Sequence, residues 1–373
     1  MMGRHTRLQH EAVLLRCFAQ RLYIGACRST SSPTQQRRFQ EHLLHPPSPV
    51  IVLSSASPST PTLETNAPEM TSRRLVLFMD INKTIVLFDG GNDTSASQNI
   101  LAHLGRSTTH AWDSTVSESF FSYVRRVLAP GNEVVDPVLK KHRQGLDTTL
   151  LERFADVPGG LDIKARYDAM LVKLEDMQGR KRIILPSFQR LLAELQRQSH
   201  RVSYSVVLCS FGPDVGEAFQ EIVETNPHLS IGTFGMFSKG QLHTLPSLEQ
   251  VAAIYSQKKQ TPLDELLLPH PKVDLFAATA ALQPFSIGVW SDDYSYWHGN
   301  GEKSIGGKPF PIMDHPTTVF FDDNATEKEI IAPIPSPDYS GGLRDSIVTA
   351  DPILALEHDD YFVSILQGMH ILQ

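Results

Sequence analysis

Cysteine is scarce in this chain. Cys17, Cys27 and Cys209 are too few for a disulfide framework, and no CxxC pair offers a metal clip. The body of the chain therefore reads as a protein of a reducing, intracellular compartment. No run approaches 18 apolar residues, so no membrane span is expected. Lysine is missing from the first 72 residues, which carry seven arginines against four acids, or +3. The chain totals −7, so residues 73–373 carry −10. An acidic body is unsuited to nonspecific nucleic-acid binding, which draws on basic surface.

Acids are almost absent from the first 40 residues, where Glu11 stands alone. Val13, Leu14, Leu15, Phe18, Leu22 and Tyr23 lie on one helical face among arginines, serines and threonines. That composition marks residues 1–45 as a transit peptide, mitochondrial ahead of plastid, or else as a disordered extension of a cytoplasmic protein. Residues 46–72 hold six prolines among serines and threonines and read as a linker.

The ordinary part of the composition is the body. Apolar residues make up 41% and charged residues 20% of a 373-residue chain, enough for two domains or one large one. The run Leu75-Val76-Leu77-Phe78-Met79 is apolar without alternation, as in a parallel strand buried on both faces. It stops at Asp80, which places that acid at the carboxyl end of the strand, where open α/β sheets bind ligands. Ile85–Phe88 followed by Asp89-Gly90-Gly91-Asn92 predicts a short hairpin over Asp80. From 93 to 180 apolar residues recur at helical spacing without a good strand, which predicts a helical insertion.

Strands and helices alternate again from 181. A helix starts at Pro186-Ser187, a strand runs from Tyr204 to Cys209, and a second helix spans Ala218–Val223. A strand or hairpin is expected over 231–237 and 241–245, then loops and short elements over 256–300, where prolines cluster. Thr317–Phe321 reads as a strand, Glu327–Ile331 as a helix and Pro333–Gly342 as loop. A last strand at Ser346–Ala350 and a helix near 358–369 close the chain.

Four groups of polar residues stand out. Asp80 ends the first strand, and an aspartate so placed can attack phosphorus and hold the phosphoryl group. Ser210 follows the second apolar run; on its own a serine there caps the next helix. Gly306-Gly307-Lys308-Pro309 presents a lysine on a tightly turned, extended backbone, with Lys303 a weaker candidate. Asp322 and Asp323 end the strand at Val319–Phe321, and adjacent carboxylates repel unless a cation such as hard Mg2+ sits with them.

An acid, a hydroxyl, a lysine and an acid pair in that order resemble the four signatures of the haloacid dehalogenase-like (HAD) phosphotransferase superfamily. The resemblance covers residues 73–91 and 181–350. It implies a Rossmann-like parallel α/β core over 73–92 and 181–373, with residues 93–180 inserted as a helical cap. It implies Asp80 as nucleophile and Mg2+ ligand, with the Asn82 carbonyl, Asp322 and Asp323 completing the metal site. Ser210 and Lys308 would hold the phosphate of a small phosphorylated substrate. The chain departs from the family's Asp-x-Asp at Asn82, because an amide cannot shuttle a proton at physiological pH. The resemblance thus points to a Mg2+-dependent phosphatase or phosphotransferase, or to a weakly active relative that binds a phosphorylated ligand. Asp89 and Asp93, considered as substitutes for the missing acid, read as surface turn residues.

Trp290–His298 carries three aromatic rings, two acids and a histidine. It reads as a hairpin packed on the core, ahead of a lip over the site. Cys209 reads as a small buried hydrophobe.

Overall fold

β1 (Arg73–Asp80) is buried from Leu75 to Asp80, as an unbroken apolar run requires when both faces of a strand are covered. Leu75, Leu77 and Met79 face one apolar cluster, Val76 and Phe78 another. The computed structural model describes residues 73–88, 95–112, 116–128, 130, 139, 160–212, 214–326, 328–343 and 345–373. The targeting segment and linker expected over 1–72, and the turn expected at 89–92, lie outside the described residues.

Ile85–Phe88 forms no strand, only isolated bridges at Val86. The Ile81 carbonyl instead accepts from the amides of Thr84, Ile85 and Val86, closing a tight loop. Ile81, Ile85 and Val86 are fully buried, and Val86 bridges to Ile184. Their burial draws the loop down onto the core, so the apolar run serves packing and not strand pairing.

The described part of residues 93–180 is helical but not purely so. α1 (Ala96–Ser107) starts from a reciprocal cap between Ser95 and Gln98. β2 (Thr109–Ala111) and β3 (Ser117–Ser119) then pair antiparallel, a hairpin whose three-residue strands are too short to show a period. α2 (Phe120–Tyr123) runs into a π-helical turn at Val124–Leu128, and α3 (Gly160–Gly179) follows. Ile100, Leu104, Phe120 and Met170 join the apolar cluster on one face of the main sheet.

The core resumes as expected with α4 (Pro186–Arg197), β4 (Val202–Ser210), α5 (Val215–Thr225) and the hairpin β5 (Ser230–Ser238) and β6 (Gln241–Leu245). The difficult stretch holds α6 (Leu248–Gln257), α7 (Leu263–Leu267), β7 (Lys272–Val273) and α8 (Leu275–Ala281). It then holds a full core strand, β8 (Ser286–Ser291), and α9 (Tyr294–Gly299). Trp290–His298 is thus a strand end and a helix, not a hairpin.

β9 (Lys308–Ile312) and β10 (Thr317–Asp322) lead to β11 (Ile331–Pro335), which pairs parallel with β9. This replaces both the helix expected at Glu327–Ile331 and the start of the expected loop. Ile330 and Ile331 are buried against Phe310 and Trp297 in one cluster, and that packing extends the backbone. β12 (Ile347–Thr349), α10 (Pro352–Glu357) and α11 (Tyr361–Gly368) complete the chain.

The main sheet runs β12-β10-β1-β4-β8-β5-β6-β7, parallel through β5 and antiparallel at β6 and β7. The protein is therefore α/β, with a mixed, mostly parallel eight-stranded sheet flanked by helices. Chain order reverses at β1, which has β4 on one side and β10 on the other. Such a switch point opens a crevice at the carboxyl ends of the strands. Asp80, Ser210 and Asp322 terminate the three strands that meet there. Among the described residues no helix is long and apolar enough to cross a membrane.

Candidate active site

Three neighbouring parallel strands deliver the first groups. Met79 pairs with Phe321 and Asp80 with Cys209, so the two strand-end acids, Asp80 and Asp322, stand side by side. Carboxylate oxygens of Asp80, Asp322 and Asp323 all lie within 4.8 Å of one another. Asp80 and Asp322 are buried, and Asp323 is half-buried.

Lys308 enters from the start of β9. Its Nζ donates to Asp80 Oδ1 at 2.5 Å and to Asp322 Oδ2 at 2.7 Å, fully inside the protein. Its position depends on Gly307, where a Cβ would collide with the backbone carbonyl of Ile330. The Lys308 amide donates to that same carbonyl at 2.7 Å. Lys303, the weaker candidate, pairs instead with Glu329 on the surface.

Ser210 is buried, and its Oγ accepts from the Gly212 amide at 2.9 Å. A Cβ at Gly212 would lie 3.4 Å from Asn82 Nδ2 and 3.5 Å from Ser210 Oγ. The missing side chain thus leaves room for both polar groups, and Asn82 and Ser210 share one corner of the site. Asn82 Oδ1 is buried and has no hydrogen-bond partner. Asp80, Asn82, Ser210, Lys308, Asp322 and Asp323, the residues expected to form the site, are brought to this one sheet edge. Asp89 and Asp93 lie outside the described residues.

Four contributors were not legible beforehand. Thr84 Oγ1 donates to Asp80 Oδ2 at 3.3 Å and accepts from the Asp323 amide at 3.1 Å, tying the β1 loop to the β10 end. The Ser210 carbonyl accepts from the Tyr255 hydroxyl, the Ser291 hydroxyl and the Asp292 amide at 3.2, 3.2 and 2.9 Å. Asp292 itself is 2% exposed, and neither of its carboxyl oxygens has a hydrogen-bond partner. Its neighbour Asp293 caps α9 through the Tyr296 amide. No sequence signal separates the two acids, because only the fold buries one of them.

The electrostatics follow from four carboxyl groups and one ammonium. Burial pushes the Asp80 carboxyl well up; Lys308 opposes this, while Asp322 and Asp323 add to it. Burial also raises Asp323 to about 6, with repulsion from Asp322 adding and attraction to Lys83 subtracting. Asp292 is pushed up to about 7 by burial, against the pull of Lys308. For Lys308 burial acts downward, but Asp322, Asp80 and Asp292 outweigh it and the ammonium holds its proton more tightly than usual. Cys209 is pushed up by burial and stays a neutral thiol, in keeping with a packing role.

Comparison with protein-family models, with curated proteins and with solved structures finds no match. The functional argument therefore rests on geometry and chemistry.

Oxygen donors at this spacing fit a small hard dication. The three carboxylates carry more negative charge than Lys308 balances, and Mg2+ is held through one or two such groups plus water and substrate phosphate. Phe211 closes the side next to Ser210, its ring centre 5.1 Å from Lys308 Nζ, and stacks on Trp297. Tyr294, nearly half exposed, meets the Phe211 ring edge-on.

Proposed function

We propose that this chain is a Mg2+-dependent phosphatase or phosphotransferase of the HAD type, acting on a small phosphorylated substrate through Asp80. The observation that carries the reading is the convergence of Asp80, Asp322 and Asp323 around Lys308 at the carboxyl edge of a parallel sheet. A cation held by Asp80, Asp322, Asp323 and the Asn82 carbonyl would supply the positive charge that lets an anionic nucleophile approach a phosphate.

The protein's own groups then have distinct tasks. Asp80 attacks phosphorus, and the bond to the leaving oxygen breaks as the aspartyl phosphate forms. Lys308 stays charged throughout and offsets the charge gathered between nucleophile and phosphate. The Ser210 hydroxyl, fixed by Gly212, holds a phosphoryl oxygen. The inserted residues 93–180 act as a cap that selects the substrate and excludes water.

Asn82 cannot protonate a leaving group or activate water. Loss of such help costs about 10²–10⁴-fold, or roughly 3–5 kcal/mol of barrier. Acyl phosphates and pyrophosphates need no acid, so they are the substrates least affected. The same residue favours a second reading, a protein that binds a phosphorylated ligand without turning it over.

Release of phosphate from an acyl phosphate, with and without Mg2+, separates the two. The enzyme reading expects Mg2+-dependent release that disappears in Asp80→Asn. Binding of the acyl phosphate without release supports the second reading and removes the first.

A further inference from the structure

Asp292 is the group that the proposed chemistry leaves unused and that the fold gives no structural reason to keep. A buried carboxyl with two unpartnered oxygens is costly, and such groups call for an explanation. It bonds to the site only through its backbone amide, to the Ser210 carbonyl.

Its place in the sheet supplies that explanation. Asp80 pairs with Cys209, and Cys209 pairs with Trp290, so these three residues form one row across β1, β4 and β8. β1 ends at Asp80 and β8 at Ser291, so Asn82 and Asp292 both follow the ends of their strands, past that row. Side chains alternate along a strand, so Asp292 faces the same side as Trp290, which packs with Cys209 and Phe78. In an in-line displacement the leaving oxygen lies on the far side of phosphorus from the nucleophile, and Asp292 lies past the row of Asp80, toward the open edge of the sheet. β1 and β8 are separated by β4 alone, about 10 Å from strand to strand.

We infer that Asp292 is the proton-transfer group of this site, a catalytic residue supplied by β8 in place of the acid that Asn82 lacks. The inference rests on the proposed chemistry at Asp80. In the first step Asp80 attacks phosphorus, the ester P–O bond breaks, and its electron pair stays on the leaving oxygen, which takes the proton from the Asp292 carboxyl. In the second, the Asp292 carboxylate takes a proton from water as the water oxygen bonds to phosphorus. The aspartyl P–O bond breaks, its electrons return to Asp80, and Asp292 is again protonated. The balance is ester plus water to alcohol plus phosphate. The charged and titratable groups around Asp292 are Lys308, Asp322, its neighbour Asp293, Tyr255 from α6, Lys258 just past the end of α6, and Cys209. Lys308 and Lys258 face it with positive charge, while its burial favours the protonated form that the first step consumes.

The test compares an alkyl phosphate with an acyl phosphate, both with Mg2+, in wild type, Asp292→Asn and the double variant Asp292→Asn/Asn82→Asp. Asp292→Asn should lose alkyl phosphate turnover by about 10²–10⁴-fold. It should still form phosphoenzyme from the acyl phosphate, which needs no acid, and accumulate it because hydrolysis lacks a base. A carboxyl restored at position 82 should recover alkyl phosphate turnover, a rescue that a purely structural role does not permit. Alkyl phosphate turnover unchanged in Asp292→Asn overturns the inference and leaves Asp80 chemistry standing. Loss of both activities without rescue by Asn82→Asp overturns it as well. Failure of the wild type to form phosphoenzyme from the acyl phosphate overturns the reading of Asp80, and this inference with it.

Discussion

The Lys308 ammonium stands between two strand-end carboxylates, 2.5 Å from Asp80 and 2.7 Å from Asp322, with all three side chains buried. A residue 228 positions along the chain from Asp80 thus supplies the charge that lets two acids sit side by side. Removing one partner of a buried pair leaves an uncompensated charge, which costs about 3–5 kcal/mol. Lys308→Met should lower stability by that order at neutral pH, read from urea unfolding midpoints. Mg2+ should restore part of the loss, since it fills the same deficit. Unchanged unfolding of the variant would contradict the assignment of Lys308 as the local counter-charge.

Asp292 gives a pH signature independent of activity. Its folded-state value is raised from 3.8 to about 7. A raised carboxyl favours its protonated form when folded, so it costs nothing below the unfolded value. Its cost grows as pH climbs from about 4 to 7 and is then constant. Asp292→Asn removes this dependence, although its buried amide costs about 1–3 kcal/mol at every pH. The stability of the variant relative to wild type should therefore rise between pH 5 and 8, by roughly 2–3 kcal/mol of a full cost of about 4. Parallel stability curves for the two proteins would show that Asp292 ionises normally.

Thr84 joins two carboxyl-bearing segments through one hydroxyl. Thr84→Val keeps the shape and leaves the Asp323 amide without its acceptor, a loss of about 1–3 kcal/mol. Mg2+ affinity by calorimetry should fall along with stability, because Asp80 and Asp323 lose their common tether. Affinity equal to wild type would place Thr84 outside the cation site.

Gly307 and Gly299 offer a matched pair. A Cβ at Gly307 runs into the Ile330 carbonyl, while one at Gly299 meets nothing within 4 Å. Gly307→Ala should cost about 1–3 kcal/mol through overpacking and should displace Lys308. Gly299→Ala, near the end of α9, should be neutral or stabilising by up to about 1 kcal/mol. Thermal melting distinguishes them, and equal melting temperatures would remove the steric argument.

The legible parts of the site were those where burial leaves a mark on the sequence. β1, β4 and β10 are covered on both faces, so their apolar runs end abruptly and point at Asp80, Ser210 and Asp322. β8 is just as buried but is broken by Gly288, where a Cβ would collide with the Thr233 carbonyl, and by serines at both ends. A tight approach between neighbouring strands, invisible in one segment, removed its apolar signal. β9 and β11 each hold two prolines, which normally argue against a strand. Here the two segments pair only with each other, in a sheet of two strands. Asp292 and Asp293 read alike as letters, and only β8 decides that one is buried beside Ser210 and the other caps a helix. The tight loop after Asp80 escaped for the opposite reason. Its apolar residues look like a strand, yet they are buried by folding back toward Ile184.

The most direct measurement is mass spectrometry of the peptide containing Asp80 after brief exposure of the full chain to an acyl phosphate and Mg2+. A phosphoryl adduct on Asp80, absent without Mg2+ and absent in Asp80→Asn, is the predicted result. An unmodified Asp80 under conditions where the acyl phosphate is consumed, or a phosphoryl group carried on any other residue, would contradict the account.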